Sequence, residues 1–112
     1  MATEQQIQAE CVLWFHNTYP AERGMLHANN NNSVNRIAGN VAKSMGVVAG
    51  VSDLELIASG CIIFIEMKTQ TGVQSAEQMA FALKVQARGH MYVIIRSVQE
   101  FKTLIQGIYG TR

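Results

Sequence analysis

The chain of 112 residues is long enough for one hydrophobic core and too short for two, so we expect a single domain over residues 1–112. A hydrophobic fraction of 48% with 15% charged residues excludes a disordered chain. The net charge of +1 means that any DNA-binding surface must come from local clustering or from oligomerisation, and it leaves room for a buried homodimer face.

No apolar stretch reaches the length of a membrane span, and the N-terminus lacks the basic and apolar regions of a signal peptide. We therefore expect a cytoplasmic protein with no membrane partner. Cys11 and Cys61 lie in apolar segments, which is typical of reduced core residues in that compartment. No Cys and His spacing indicates a zinc site.

The first half of the chain predicts a helix, a short strand and a second helix. Thr3 and Gln6 form a capping-box pattern, so we expect a helix over residues 4–17, with an apolar face that contains Ile7, Cys11, Trp14 and Phe15. Residues 24–28 predict a short strand, the Asn-rich residues 29–33 a loop, and residues 34–45 a modest helix.

Two apolar runs, residues 53–58 and 61–68, predict the strands of a hairpin that turns at Ser59 and Gly60. A two-residue turn pairs Ala58 with Cys61, and stepping back along this register puts Asp53 opposite Glu66 on the same face. A four-residue loop centred on the same pair keeps the register. A three-residue loop would place the two carboxylates on different faces.

The second half alternates helix and strand. A capping box at Ser75 and Gln78 predicts a helix that continues to Arg88, and residues 90–96 predict a strand that is central because it is apolar on both faces. A third box, residues 97–100, begins a last helix. The order α-β-α-β-β-α-β-α predicts a mixed four-stranded sheet flanked by helices, in which the β-α-β unit is parallel and right-handed.

Asp53 and Glu66 are the first candidate functional residues. Carboxylates opposite each other on one face have Cβ atoms about 4.5–5.5 Å apart and repel unless something compensates. Mg²⁺ or Mn²⁺ is a natural compensation. Lys68 shares the face of Glu66, whereas Met67 points away. Such a group suits phosphodiester hydrolysis. A surface hairpin with scattered charges is the alternative.

The element order, with Asp followed by Glu-x-Lys on the next strand, resembles the restriction-endonuclease-like, or PD-(D/E)xK, fold. Residues 46–54, 64–68 and 75–78 together resemble the VRR-NUC (virus-type replication-repair nuclease) family, and the resemblance covers nearly the whole chain. It implies a metal-dependent DNA nuclease of the stand-alone phage or bacterial type. Such proteins resemble Holliday-junction resolvases in forming dimers that cut branched DNA, so the resemblance implies a homodimer that acts on such junctions.

The resemblance also implies roles for individual residues. Asp53 and Glu66 become carboxylate ligands of one or two Mg²⁺ or Mn²⁺ ions, with the backbone carbonyl of Met67 as a further ligand. Lys68 becomes the catalytic lysine. One departure is Ser52, which stands where the family usually has proline; serine can adopt the same extended conformation.

Two further residues have competing interpretations. The resemblance makes Gln78 a polar active-site residue beside Lys68, whereas its sequence position makes it the N3 residue of a helix cap. The resemblance makes Glu10 a helix residue that approaches the metal directly or through water. Its position about 60° from the centre of the apolar face is equally typical of a solvated border residue.

The remaining candidates are weaker. Glu55 shares the face of Asp53 opposite Phe64, and His27 is the one histidine near a candidate DNA loop. Residues 29–33 are either a plain surface turn or a phosphate-contacting loop. Four basic residues on the predicted helices are candidate phosphate contacts: Arg36, Lys43, Lys84 and Arg88. Basic residues in such positions are also typical of solvated helix faces. Two other functions stay open: a non-catalytic DNA-binding or assembly module on a nuclease-like scaffold, and a restriction-type endonuclease for linear duplexes.

Overall fold

The computed structural model describes residues 2–29, 40, 41 and 43–110. Helices α1, α2 and α3 span Glu4–Thr18, Ala76–Ala87 and Val98–Tyr109. Strands β1 to β4 span Leu26–Ala28, Leu54–Ala58, Cys61–Met67 and Met91–Ile95, and a short 3-10 turn spans Pro20–Glu22. Most of the helix predicted over residues 34–45 lies outside the described residues, although positions 40, 41, 43 and 44 are helical. Residues 30–33 and Arg36 also lie outside the described residues.

The four strands form one sheet in the order β1-β2-β3-β4. Strands β1 and β2 are antiparallel, as are β2 and β3, whereas β3 and β4 are parallel across the helix that connects them. The predicted mixed four-stranded sheet with flanking helices is therefore confirmed. None of the described helices is both long enough and apolar enough to cross a membrane.

The prediction that β4 is a central strand is wrong. Within the described residues β4 pairs only with β3, so it lies at an edge of the sheet. Helices cover both of its faces, because α2 packs against β4 from one side and α3 from the other. An edge strand between two helices is apolar on both faces for the same reason that a central strand is, so the sequence pattern does not distinguish them.

Side chains alternate along β3 and divide the core in two. Ile63, Ile65 and Met67 pack with Phe15 of α1 and Phe101 of α3. On the other face, Phe64 packs with Ala82 and Val85 of α2 and with Tyr92 of β4. Glu66, two residues after Phe64, therefore lies on the α2 side of the sheet.

The helix caps agree with the sequence in two cases of three. Full capping boxes begin α1 and α2, as predicted from Thr3 and Ser75. At α3 the Ser97 hydroxyl accepts from the Glu100 N–H at 3.1 Å, but the Glu100 carboxylate accepts from the N–H of Arg96 at 2.7 Å instead of closing the box. The helix begins where it was predicted, with half of the expected cap.

Gly50 fixes the loop before β2 against the start of α2. Its φ of 87° lies in the left-handed region that favours glycine. A Cβ at this position would stand 2.3 Å from the carbonyl oxygen of Glu77 and 2.9 Å from the amide nitrogen of Gln78. The backbone of the loop thus touches the backbone of the first turn of α2, and only a glycine permits that approach.

We expect Gly50→Ala to lower the free energy of unfolding by about 1–3 kcal/mol more than Gly89→Ala does, because overpacking adds to the conformational strain. Gly89 is the matched control, since its φ is 85° and nothing lies within 4 Å of a Cβ built there. Urea denaturation of the two variants measures the difference. Equal losses would show that the loop moves away from α2 without cost.

Candidate active site

The β2–β3 hairpin aligns the two predicted carboxylates. Ala58 pairs with Cys61 across the turn, and Leu54 pairs with Ile65 at the other end of the ladder. The predicted register is therefore confirmed. Because Asp53 precedes Leu54 and Glu66 follows Ile65, the next step of the ladder brings these two residues together.

Hydrogen bonds hold Asp53 on both sides. Its Oδ2 accepts from the backbone N–H of Met67 at 2.7 Å. Its carbonyl accepts from the N–H of Asn29 at 2.9 Å, and the Asn29 side chain donates to the carbonyl of Ser52 at 2.9 Å. The buried Ser52 hydroxyl donates to the carbonyl of Leu54 at 2.8 Å. Asn29 was predicted only as part of a loop, but it anchors the Asp53 segment.

Glu66 is the buried carboxylate of the site, with 3% of its surface exposed. Its Oε2 accepts from the Gln78 side chain at 2.9 Å and lies 3.9 Å from Nζ of Lys68. Its Oε1 is also buried and has no hydrogen-bond partner among the described residues. A buried acceptor without a partner is costly, and it marks a place where a ligand can be accommodated.

Gln78 satisfies both of its interpretations at once. Its Oε1 accepts from the backbone N–H of Ser75 at 2.8 Å, and the Ser75 hydroxyl accepts from the N–H of Gln78 at 3.1 Å. The Oε1 bond fixes the orientation of the amide, so that Nε2 donates to Glu66. The cap of α2 therefore supplies the hydrogen bond that orients the Glu66 carboxylate.

The environment of Glu66 favours its neutral form. The pKa of this carboxyl is raised from an ordinary value of 4.5 to about 8, and burial, which disfavours the charged form, is the largest cause. The negative charge of Asp53 raises this pKa further, whereas the Lys68 ammonium lowers it. A hydrogen bond to Asp53, which Glu66 can donate only when it is protonated, also raises the pKa. A cation bound to the two carboxylates would remove this preference for the proton.

A cavity of about 330 Å³ opens over these residues. It is lined by residues 48–51 of the loop, by Asp53, Glu66 and Lys68, by Glu4 from α1, and by Ser75, Glu77 and Gln78 from the start of α2. A larger cavity, of about 710 Å³, lies between α1 and β1, but no carboxylate belongs to the described residues that line it.

The structure places Glu4, and not Glu10, at this cavity. Both glutamates are exposed, but only Glu4 belongs to the described residues that line the cavity. Glu4 lies three residues before Ile7 and seven before Cys11, so the helical period puts it in line with the buried face of α1. That alignment was visible in the sequence. It identifies Glu4 as the residue whose negative charge reaches the site, where it further raises the pKa of Glu66.

The other candidates lie apart from the cavity. Glu55 pairs with Phe64, as predicted, and its carboxylate lies 3.4 Å from Nε2 of His27. Lys43, Lys84 and Arg88 are exposed and do not belong to the cavity lining that the structure describes.

The donor set fits one kind of cation better than another. The Glu66 oxygen that has no partner among the described residues and the adjacent Asp53 carboxylate are hard oxygen donors. Within residues 2–29, 40, 41 and 43–110, no group of three His, Cys, Asp or Glu side chains is close enough to hold a metal. Mg²⁺ commonly uses one or two carboxylates and keeps several waters, so this arrangement fits such an ion and not a closed zinc site.

Comparison with known proteins identifies the fold. A solved structure described as "VRR_NUC domain protein" superposes with a TM-score of 0.78 at 20% sequence identity, covering 96% of this chain and 88% of that one. The chain has the fold of that VRR_NUC domain protein. No family model matches the sequence, and no curated protein does. The fold expected from the resemblance is confirmed.

We expect the metal-free protein to lose stability as pH rises from about 5 to 8. The folded-state pKa of Glu66 lies above its unfolded value, so the folded protein binds more protons in this window and the free energy of unfolding falls with pH. Glu66→Gln stays neutral. As the pH rises, the free energy of unfolding of Glu66→Gln should therefore increase relative to that of the natural chain, by at most about 1.4 kcal/mol per pH unit.

Urea denaturation at several pH values in the presence of EDTA measures this difference. Glu10→Gln, on the exposed surface of α1, is the control for removing one carboxylate. A pH-independent difference between Glu66→Gln and the natural chain would contradict the raised pKa.

Proposed function

We propose that this chain is a Mg²⁺- or Mn²⁺-dependent deoxyribonuclease of the VRR-NUC family that hydrolyses phosphodiester bonds in branched DNA, such as Holliday junctions, as a homodimer. The observation that carries the proposal is the buried Glu66 carboxylate, which meets Asp53 and Lys68 in one open cavity. The shared fold with a VRR_NUC domain protein supports it.

Asp53 and Glu66 would hold the cation, with the Met67 carbonyl as a further ligand. A bound divalent cation supplies Lewis-acid polarisation of the phosphate and makes a water molecule more acidic. Gln78 keeps Glu66 oriented through its hydrogen bond. Glu4, which lines the cavity, would take the role first assigned to Glu10.

Lys68 would act on the reacting atoms directly. Its ammonium lies 3.9 Å from Glu66 Oε2, and its side chain lines the cavity and is only 13% exposed. From this position it can orient the attacking water and stabilise the negative charge that develops on the phosphate. An ammonium that is partly shielded from solvent is more effective in that role than one in bulk water.

We expect the natural chain with Mn²⁺ to cut a four-way junction and Lys68→Ala to cut it at least about 10²-fold more slowly, the usual loss when one electrostatic contact to the transition state is removed. The measurement is a cleavage panel of four-way, flap and linear DNA, with EDTA as the metal-free control. Lys102→Ala is the matched lysine control, since Lys102 lies over the Trp14 ring on another surface.

If all three DNA forms stay intact, or if Lys68→Ala keeps full activity, the nuclease proposal fails. The alternative is a non-catalytic DNA-binding or assembly module on the same scaffold, which would not need to bind a cation. Calorimetry with Mn²⁺ separates the two functions. Binding that Asp53→Asn leaves unchanged favours the module, and preferential cutting of linear DNA favours a restriction-type enzyme.

The exposed face of α2 supports the homodimer. Met79 and Leu83 are four residues apart and project from the face opposite the core, together with the exposed Ala76 and Ala80. One flank of this face carries Glu77 near its start and Lys84 and Arg88 near its end. Two copies packed antiparallel about a two-fold axis would bring each Glu77 beside the basic end of the other helix.

We expect Leu83→Glu to shift the chain towards monomer, because it buries a charge in this contact. Sedimentation equilibrium over a range of protein concentrations measures the dissociation constant. Leu13→Glu on α1 is the matched control, since Leu13 is 62% exposed and Leu83 is 70% exposed. A natural chain that is monomeric throughout, or an equal effect of the two substitutions, would exclude this interface.

A further inference from the structure

Arg96 lies beside Lys68 in space although 28 positions separate them in sequence. Strands β3 and β4 are parallel, so the residues that follow them emerge at the same edge of the sheet. The backbone N–H of Lys68 donates to the carbonyl of Ile95 at 3.0 Å, which continues the ladder by one step beyond the strands. The first residue after β4 is therefore placed next to the loop that follows Lys68.

The Arg96 guanidinium binds that loop through backbone carbonyls. Its Nη1 donates to the carbonyls of Thr69 and Gly72, each at 2.7 Å, and lies 3.4 Å from the carbonyl of Gln70. The Gln70 side chain donates in return to the Arg96 carbonyl at 3.3 Å. Thr69 and Gly72 are the two ends of a turn within this loop. Because the two short bonds hold both ends, one charged side chain keeps the turn folded.

The clamped loop forms a wall against the Lys68 side chain. A Cβ at Gly72 would stand 3.3 Å from Cδ of Lys68, so the loop backbone lies directly against the lysine stem. A free lysine side chain has about 2 kcal/mol of rotamer entropy, which spreads its ammonium over many positions. A wall along the stem reduces the number of these positions and favours the one beside Glu66.

We propose that Arg96 is a positioning residue: it holds residues 69–72 against the Lys68 stem and thereby fixes the ammonium next to Glu66. The catalytic part of this inference rests on the proposed nuclease function, whereas the clamp itself does not. An arginine that served mainly to bind DNA phosphates would act on substrate affinity. A positioning residue acts on the chemical step, because small displacements of a reacting group reduce rate without reducing binding.

The test compares Arg96→Gln and Arg96→Lys in junction cleavage with Mn²⁺ at a temperature where both variants are folded. We expect Arg96→Gln to lower kcat about tenfold or more with KM within about twofold. Arg96→Lys keeps a cationic donor and should recover part of kcat. Arg23→Gln, at an exposed arginine that does not belong to the described cavity lining, should leave both constants unchanged.

Hydrogen exchange at the backbone amides of residues 69–74 gives a second measurement that needs no activity. We expect faster exchange in Arg96→Gln than in the natural chain or in Arg23→Gln. Unchanged exchange overturns the clamp, and a rise in KM at constant kcat overturns positioning in favour of substrate binding. Faster exchange in a chain that cuts no DNA supports the clamp and rejects the nuclease function instead.

Discussion

The burial of one acidic side chain constrains the rest of this structure. Glu66 lies one residue before the end of β3, the best-covered strand of the sheet, where an ionised carboxylate is unfavourable without a partner. The Gln78 amide and the Lys68 ammonium stabilise one oxygen and leave the other without a partner among the described residues. The fold therefore stores an electrostatic cost at this position, and such costs are common where proteins bind ions or carry out chemistry.

Several separate segments hold Glu66 and Asp53 in place. The hairpin sets the register of Asp53 and Glu66, and Asn29 fixes the Asp53 backbone. Gly50 brings the preceding loop into contact with α2, and α2 brings Gln78 to the carboxylate. Each contact is local in space but distant in sequence, so the cavity exists only when the whole sheet has formed.

The sequence predicted what depends on short-range rules and missed what depends on packing. The turn at Ser59 and Gly60 determined the hairpin register, because pairing follows directly from turn length. The role of Glu10 was transferred by resemblance, although the helical period puts Glu10 at the border of the apolar face and Glu4 in line with that face. Arg96 gave no signal at all, since its partners are backbone carbonyls, which every sequence contains.

The double role of Gln78 has an evolutionary consequence. Either glutamine or glutamate closes a capping box, so the helix would accept a change between them, and their codons differ by a single base. The carboxylate of Glu66 would not accept it, because a second acid would replace the donated hydrogen bond with repulsion. Selection on the site would therefore remove Gln78→Glu, although this substitution would not change the stability of the helix.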